Sequence, residues 1–303
     1  MYYLLYGILY LISLLPFFIL YGISDFACFI LYNVAGYRKQ VVMGNLDIAF
    51  PEKTLQEKKK IAKRFYRNLT DSFVETIKLL SISEKSFLKR VDMNLDETIA
   101  MIGRGKNIQF HCGHQFGWEY GNWFVAKKLP IPFIGVYMRI KNKALDKIFY
   151  DLRSKPGTIL VAAHEFKNRM HQLFTEQYSI GLAADQHPGV PGYAYWLNFF
   201  NRPTPFVTGP DKSAVKNNTA VVFVKLVKKK RGVYDFVCSV VAENAGSLEN
   251  GAITLLYRDF LEKTIRENPD NYLWSHRRWK TAYEQGFEWR WIDNCPAPVI
   301  QAS

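Results

Sequence analysis

The first 24 residues, Met1 to Ser24, contain no charged side chain, and this limits what the chain can become more than any other feature. As a helix rising about 1.5 Å per residue, such a stretch reaches across a hydrocarbon core of about 30 Å. A cleaved signal peptide would want a basic start and a small-residue cleavage site, and Met1-Tyr-Tyr-Leu-Leu5 offers neither Lys nor Arg. A lipoprotein signal ending at Cys28 is also poor, because Asp25-Phe-Ala27 precedes it. The expectation is an uncleaved transmembrane anchor over residues 1–24, kinked at Pro16 where a neighbouring group takes up the freed carbonyl. Phe26 to Tyr37 is too short to span but apolar and aromatic enough to lie at the interface. A basic run from Arg38 and Lys39 to Lys63, Arg64 and Arg67 follows, which by the positive-inside rule puts the remainder in the cytoplasm.

All 40 Lys and Arg, but only 26 of the 27 Asp and Glu, lie beyond Tyr37, so that part carries +14. Such a balance attracts anionic headgroups, an acidic carrier protein or nucleic acid. The anchor favours an anionic membrane surface, and no nucleic-acid partner is expected. Cys28, Cys112, Cys238 and Cys295 have no paired spacing and read as free thiols of a reducing compartment. His111, Cys112 and His114 lie close together, yet no second Cys or His cluster completes a zinc set, so no metal is expected.

At 303 residues, 49% of them hydrophobic, the chain is long enough for one large α/β domain with a full core. Thr54-Leu-Gln-Glu57 is a capping box opening a basic helix that runs to about Leu80. Residues 25–80 are therefore expected to form a membrane-proximal helical arm, and residues 81–303 the catalytic domain. Short apolar runs begin at Asn107 to Cys112 and recur at Pro132 to Met138, Thr158 to Ala163, Ser179 to Asp185, Ala220 to Val227 and Tyr234 to Val241. Helical patterns fall near residues 115–128, 143–153, 164–176 and 252–266. This predicts an α/β fold whose mostly parallel sheet is flanked by helices, with reactive groups collected at the carboxyl ends of strands. His114, Arg139 and Asp185-Gln-His-Pro188 each follow such an end, and Trp274-Ser-His-Arg-Arg-Trp-Lys280 adds a basic, aromatic motif near the C-terminus.

His114 and Glu119 stand five positions apart, between a strand that ends at Gly113 and a helix that begins near Gln115. A histidine in that turn can be met by a carboxylate from the first helical turns, which reads as a general-base site; the bland alternative is a helix-capping histidine beside a solvated acid. His171 and Glu176 share the spacing but fall in a continuous helical pattern, where positions five apart point about 140° from one another and do not meet. Cys112 offers a covalent route with His114 as activator, but its place in an apolar strand argues for an inert thiol.

Taken in order, Asn45-Leu-Asp-Ile-Ala-Phe-Pro-Glu-Lys53, Arg64-Phe-Tyr-Arg67, His114 with Glu119, Val136-Tyr-Met-Arg139 with Asn142, Asp185-Gln186 and Trp274-Ser-His-Arg-Arg-Trp-Lys280 resemble the lipid A biosynthesis acyltransferase family, the late lauroyl and myristoyl transferases of Gram-negative inner membranes. The resemblance runs nearly end to end. It implies a fold like that of the glycerolipid acyltransferases, with a hydrophobic acyl groove. It also implies transfer of an acyl chain from acyl carrier protein or coenzyme A to a hydroxyl of a lipid A precursor, with no cofactor. Carried over position by position, His114 is the general base, Glu119 its orienting carboxylate, Arg153 a second catalytic basic residue and Asp185 a further acid. Arg139, Gln186, His276, Arg277 and Arg278 form the substrate-binding set. The chain has Val136-Tyr-Met-Arg139 where the family usually has Arg directly after Tyr, so Arg139 competes with Arg153 for the catalytic role; Asp185-Gln-His187 replaces the frequent acid-x-acid. Two alternatives stay open: a different glycolipid or aminolipid acceptor, or a non-catalytic protein that binds anionic lipid.

Overall fold

The computed structural model describes residues 1–299. Its N-terminus is two helices rather than one: α1, Tyr2–Leu14, and α2, Phe17–Phe29, the latter continued by a π-helical turn over Ile30–Val34. The stretch over residues 1–24 thus bends fully at Pro16, beyond the kink expected there. Pro16 clashes with a helical residue before it, and Leu15 accordingly adopts φ −59°, ψ 145°. Among the described residues, the one helical run long and apolar enough to cross a membrane is Phe17–Val34.

Helix α3 spans Lys39–Ala49 and α4 spans Leu55–Lys78. The expected capping box opens α4: Thr54 Oγ1 accepts from the Glu57 amide at 3.3 Å, and Glu57 Oε2 accepts from the Thr54 amide at 2.8 Å. Helix α4 buries Ile61, Ala62, Phe65, Tyr66 and Leu69 in the same core as Phe116, Tyr257 and Trp274. At about 1.5–3 kcal/mol for each large apolar side chain, that face fastens residues 55–78 to the body.

The remaining elements are α5 (Glu84–Leu88), β1 (Val91–Met93), α6 (Asp96–Gly103), β2 (Ile108–Cys112), α7 (Trp118–Lys128), β3 (Phe133–Tyr137), α8 (Lys143–Ser154), β4 (Ile159–Ala162), α9 (Ala163–Leu173), β5 (Ser179–Ala183), β6 (Tyr195–Phe199), β7 (Arg202–Phe206), α10 (Gly209–Asn217), β8 (Ala220–Lys230), β9 (Val233–Ala242) and α11 (Ala252–Glu267). Seven strands form one sheet in the order β1-β9-β8-β2-β5-β3-β4. The five strands from β8 to β4 are mutually parallel, and β8 and β9 form the single antiparallel pair. β6 and β7 make a separate antiparallel ribbon. The mostly parallel α/β architecture read from the sequence is therefore present. The central strands are rich in apolar residues because both faces of the sheet are covered, and the buried polar pair in β2, Gln109 and His111, is joined at 3.0 Å: one core holds Phe223, Tyr257 and Leu261, the other Phe110, Trp123 and Phe236.

Candidate active site

The pairing of β2 with β5 builds the site. These neighbouring parallel strands are in register from Ile108 opposite Ser179 to Cys112 opposite Ala183. Two residues further along each strand stand His114 and Asp185, so the register itself brings them face to face. His114 Nδ1 lies 2.6 Å from Asp185 Oδ1, and the His114 amide donates to Asp185 Oδ2 at 3.0 Å. Asp185 is wholly buried, and the His114 side chain is 26% exposed. Burial draws the His114 pKa down, but the charge and hydrogen bond of Asp185 outweigh it, and the net shift is upward. Burial likewise works to raise the Asp185 pKa, yet His114 and its amide hold it below the ordinary carboxylate value. An ionised Asp185 accepts the Nδ1 proton, which leaves Nε2 with its lone pair free.

The structure corrects the pairing expected from sequence. Asp185, not Glu119, is the carboxylate on His114. Glu119 sits on the first turn of α7 and is gripped by Arg153 at the end of α8: Nε to Oε1 at 2.9 Å and to Oε2 at 3.2 Å, and Nη2 to Oε1 at 2.6 Å. Trp118 Nε1 also donates to Glu119 Oε1 at 3.1 Å, and the Trp118 ring meets His114 edge-on with centroids 6.0 Å apart. The end of α8 is fixed from α7, where Asn122 Nδ2 donates to the Arg153 carbonyl at 3.1 Å and Trp123 Nε1 to the Leu152 carbonyl at 3.0 Å. Glu119 therefore turns toward α8, and its contact with the histidine runs through Trp118.

Two glycines shape the turn. Gly117, the residue before α7, has φ +102°, and a Cβ there would lie 2.8 Å from the Tyr234 ring. At Gly113 a Cβ would lie 2.7 Å from Leu261 Cδ1, so a larger residue there would displace that buried side chain of α11.

The segment from Asn271 to Thr281, which contains the C-terminal motif, straps the His114 and Asp185 loops together, an arrangement the sequence did not show. The Leu273 amide donates to the His114 carbonyl at 3.1 Å, and Asn271 Oδ1 accepts from the Phe116 amide at 3.1 Å. On the other loop, His276 Nε2 accepts from the His187 amide at 2.9 Å, and His187 Nε2 meets Thr281 Oγ1 at 2.9 Å. Burial lowers the His276 pKa to about 4, with the Arg278 charge acting the same way, so the ring is neutral and fit to accept.

The expected substrate-binding residues scatter. Arg139 follows β3, is exposed and pairs with Glu165 at 2.5 Å. Gln186 is half-buried beside Asp185, and Arg277 is exposed. Arg278 is 1% exposed, donates from Nη1 to the Pro205 carbonyl at 2.8 Å and lies 4.3 Å over the Phe206 ring. A side chain so enclosed packs against the β6–β7 ribbon, with Nε and Nη2 buried and without a partner among the described residues. Cys112 is held inert, its thiol pushed up to about 12 by burial. His171 and Glu176 are both exposed, with Glu176 beyond the end of α9. A cleft of about 600 Å³ runs between Asn198, Arg258 and Glu267, but its lining is charged and excludes His114, so it is not the apolar acyl groove that the resemblance implies.

Comparison with known proteins supplies a family for the chain. A family model described as bacterial lipid A biosynthesis acyltransferase matches residues 1–281. The lipid A biosynthesis palmitoleoyltransferase of Escherichia coli (strain K12) is 22% identical over 246 residues, covering 80% of this chain and 79% of that protein. A lipid A biosynthesis acyltransferase of Shigella flexneri matches to the same extent.

Proposed function

As the chain belongs to the bacterial lipid A biosynthesis acyltransferase family, we propose that it moves a fatty acyl chain from a thioester donor, acyl carrier protein or coenzyme A, to a hydroxyl of a lipid A precursor, with His114 as general base and Asp185 as its orienting carboxylate. The observation that carries the reading is the 2.6 Å contact between His114 Nδ1 and Asp185 Oδ1, which leaves Nε2 free on a partly exposed ring.

In this mechanism the acceptor hydroxyl oxygen attacks the thioester carbonyl carbon while His114 Nε2 takes the hydroxyl proton. The imidazolium that forms is stabilised by buried Asp185, and the negative charge moves to the carbonyl oxygen. Arg153 is the proposed counter-charge there. Glu119 engages its Nε and Nη2, while Nη1 makes no hydrogen bond among the described residues. Collapse of the tetrahedral species breaks the C–S bond, and the thiolate recovers the proton from His114. Arg139, committed to Glu165, is the weaker choice for this role. The +14 charge beyond Tyr37 suits both an acidic carrier and an anionic lipid. The proposed location is the cytoplasmic face of the bacterial inner membrane, held there by the N-terminal apolar helices.

The purified protein, given acyl carrier protein or coenzyme A thioesters and a lipid A precursor, is expected to yield a product heavier by one acyl group in mass spectrometry. Thioester hydrolysis without acylated lipid would contradict the proposal.

A further inference from the structure

Polar groups tie α1 to the body at both its ends and α2 along its length. At the start of α1, Tyr2 Oη donates to Asp151 Oδ2 on α8 at 2.9 Å. At the Pro16 break, Lys78 Nζ donates to the carbonyls of Ser13 and Leu15 at 2.7 and 3.0 Å, and Ser81 Oγ donates to Ser13 at 2.7 Å. These bonds satisfy carbonyls that the interrupted helix leaves open. Along α2, the Arg90 guanidinium lies 3.5 Å from the Phe17 ring centroid, Tyr21 Oη donates to Glu75 at 3.1 Å, and Ser24 Oγ donates to Asp71 at 2.7 Å. Asp25 pairs with Arg231 at 2.8 Å and Arg67 at 3.3 Å, and the same Arg231 grips buried Asp71 at 2.6 Å. Beyond the π-helical turn, Tyr66 Oη donates to the Tyr37 carbonyl at 2.5 Å.

A helix crossing the bilayer along Phe17–Val34 would have Asp25 near its midpoint, and the ion pairs of Asp25, Arg231, Asp71 and Lys228 would enter the hydrocarbon or break. Helix α1, with 13 residues, is about 20 Å long and falls short of a core of about 30 Å. The opposite face of the pair tells the complementary story. Tyr3, Leu4, Leu11, Phe18, Phe26 and Phe29 are each more than half exposed. Arg38, Lys39, Lys63 and Arg64, all exposed, adjoin the far end of α2. An apolar strip of this kind, bordered by cations, fits an anionic leaflet.

We infer that α1 and α2 lie in the plane of one leaflet and do not cross the bilayer, with their outer side chains in the acyl-chain boundary and the adjoining cations on anionic headgroups. Met1 and the catalytic body then share one side of the membrane, in place of the single crossing expected from sequence. This placement is independent of the reaction proposed above.

The test uses the full chain carrying one epitope before Met1 and another after Ser303. Protease added to intact spheroplasts is expected to spare both epitopes, and protease added to inverted inner-membrane vesicles to remove both. Cleavage of the N-terminal epitope alone in intact spheroplasts would show a crossing and overturn the inference. Binding of purified protein to phosphatidylethanolamine–phosphatidylglycerol vesicles gives an independent reading. Phe18→Glu with Phe26→Glu is expected to weaken it by about a hundredfold, roughly tenfold for each lost aromatic insertion, with circular dichroism unchanged. Undiminished binding by that folded variant, or equal wild-type binding to neutral phosphatidylcholine vesicles, would also overturn it.

Discussion

Asp185→Asn separates the two possible partners of His114 most sharply. The carboxylate makes two contacts with this residue, at 2.6 Å to Nδ1 and 3.0 Å to the amide, from a fully buried position. A hydrogen bond to a charged group contributes about 1.5–3 kcal/mol, and this one strengthens as the ring becomes imidazolium. Losing it from the transition state alone lowers kcat by about ten- to a hundredfold. An asparagine that also permits the wrong tautomer extends the loss toward about 10⁴-fold, the size seen for the equivalent change in serine-protease triads. The pH profile supplies the sign. In the proposed mechanism His114 acts only when neutral, so kcat/KM should rise with pH through its pKa, which Asp185 holds above the ordinary imidazole value. Without that charge, burial alone remains and lowers the pKa, so the acid limb of the residual activity must move to lower pH. The assay is kcat/KM for acyl transfer across pH 5–9 with the purified variant. An unmoved acid limb, or wild-type kcat, would refute the reasoning.

The Glu119–Arg153 pair should behave differently. Glu119→Gln is expected to lower stability by about 3 kcal/mol, because it leaves a partly buried guanidinium without its acid. It should lower kcat but leave the acid limb in place, as thermal unfolding and a pH profile together will show; a moved limb would return the orienting role to Glu119. Arg278→Ala should cost about 2–4 kcal/mol through the cavity left over Phe206, with KM unchanged in the folded fraction. Arg277→Ala, at an exposed position, should leave the melting temperature where it was.

The strands were legible because a sheet covered on both faces favours short, mostly apolar segments bounded by turn residues, and the six segments from Asn107 to Val241 coincide with β2, β3, β4, β5, β8 and β9 to within a few residues. Their neighbours were not. Nothing local says that β5 inserts between β2 and β3, and that insertion places Asp185 opposite His114 across 71 residues of chain. Glu119 is close in sequence, but the helix that carries it also faces α8, where Arg153 offers a bidentate cationic partner. The signal for Asp185 was present in a weaker form: it stands two residues past a strand end, as His114 does. The break at Pro16 was foreseeable as a kink; full separation into two docked helices depended on Lys78 and Ser81, which lie far along the chain. The burial of Arg278 was not legible because its neighbours Arg277 and Lys280 are exposed, and three cations within four residues give no sign of which one the β6–β7 ribbon will enclose.

The central claim is that one histidine, His114, takes the acceptor proton. Its most direct test is the turnover of purified His114→Ala with a thioester donor and a lipid A precursor, measured beside its thermal unfolding. The predicted result is a fall in kcat of about 10³-fold or more with the unfolding midpoint within a few degrees of wild type. A folded His114→Ala protein that retains a tenth or more of wild-type kcat would contradict the claim.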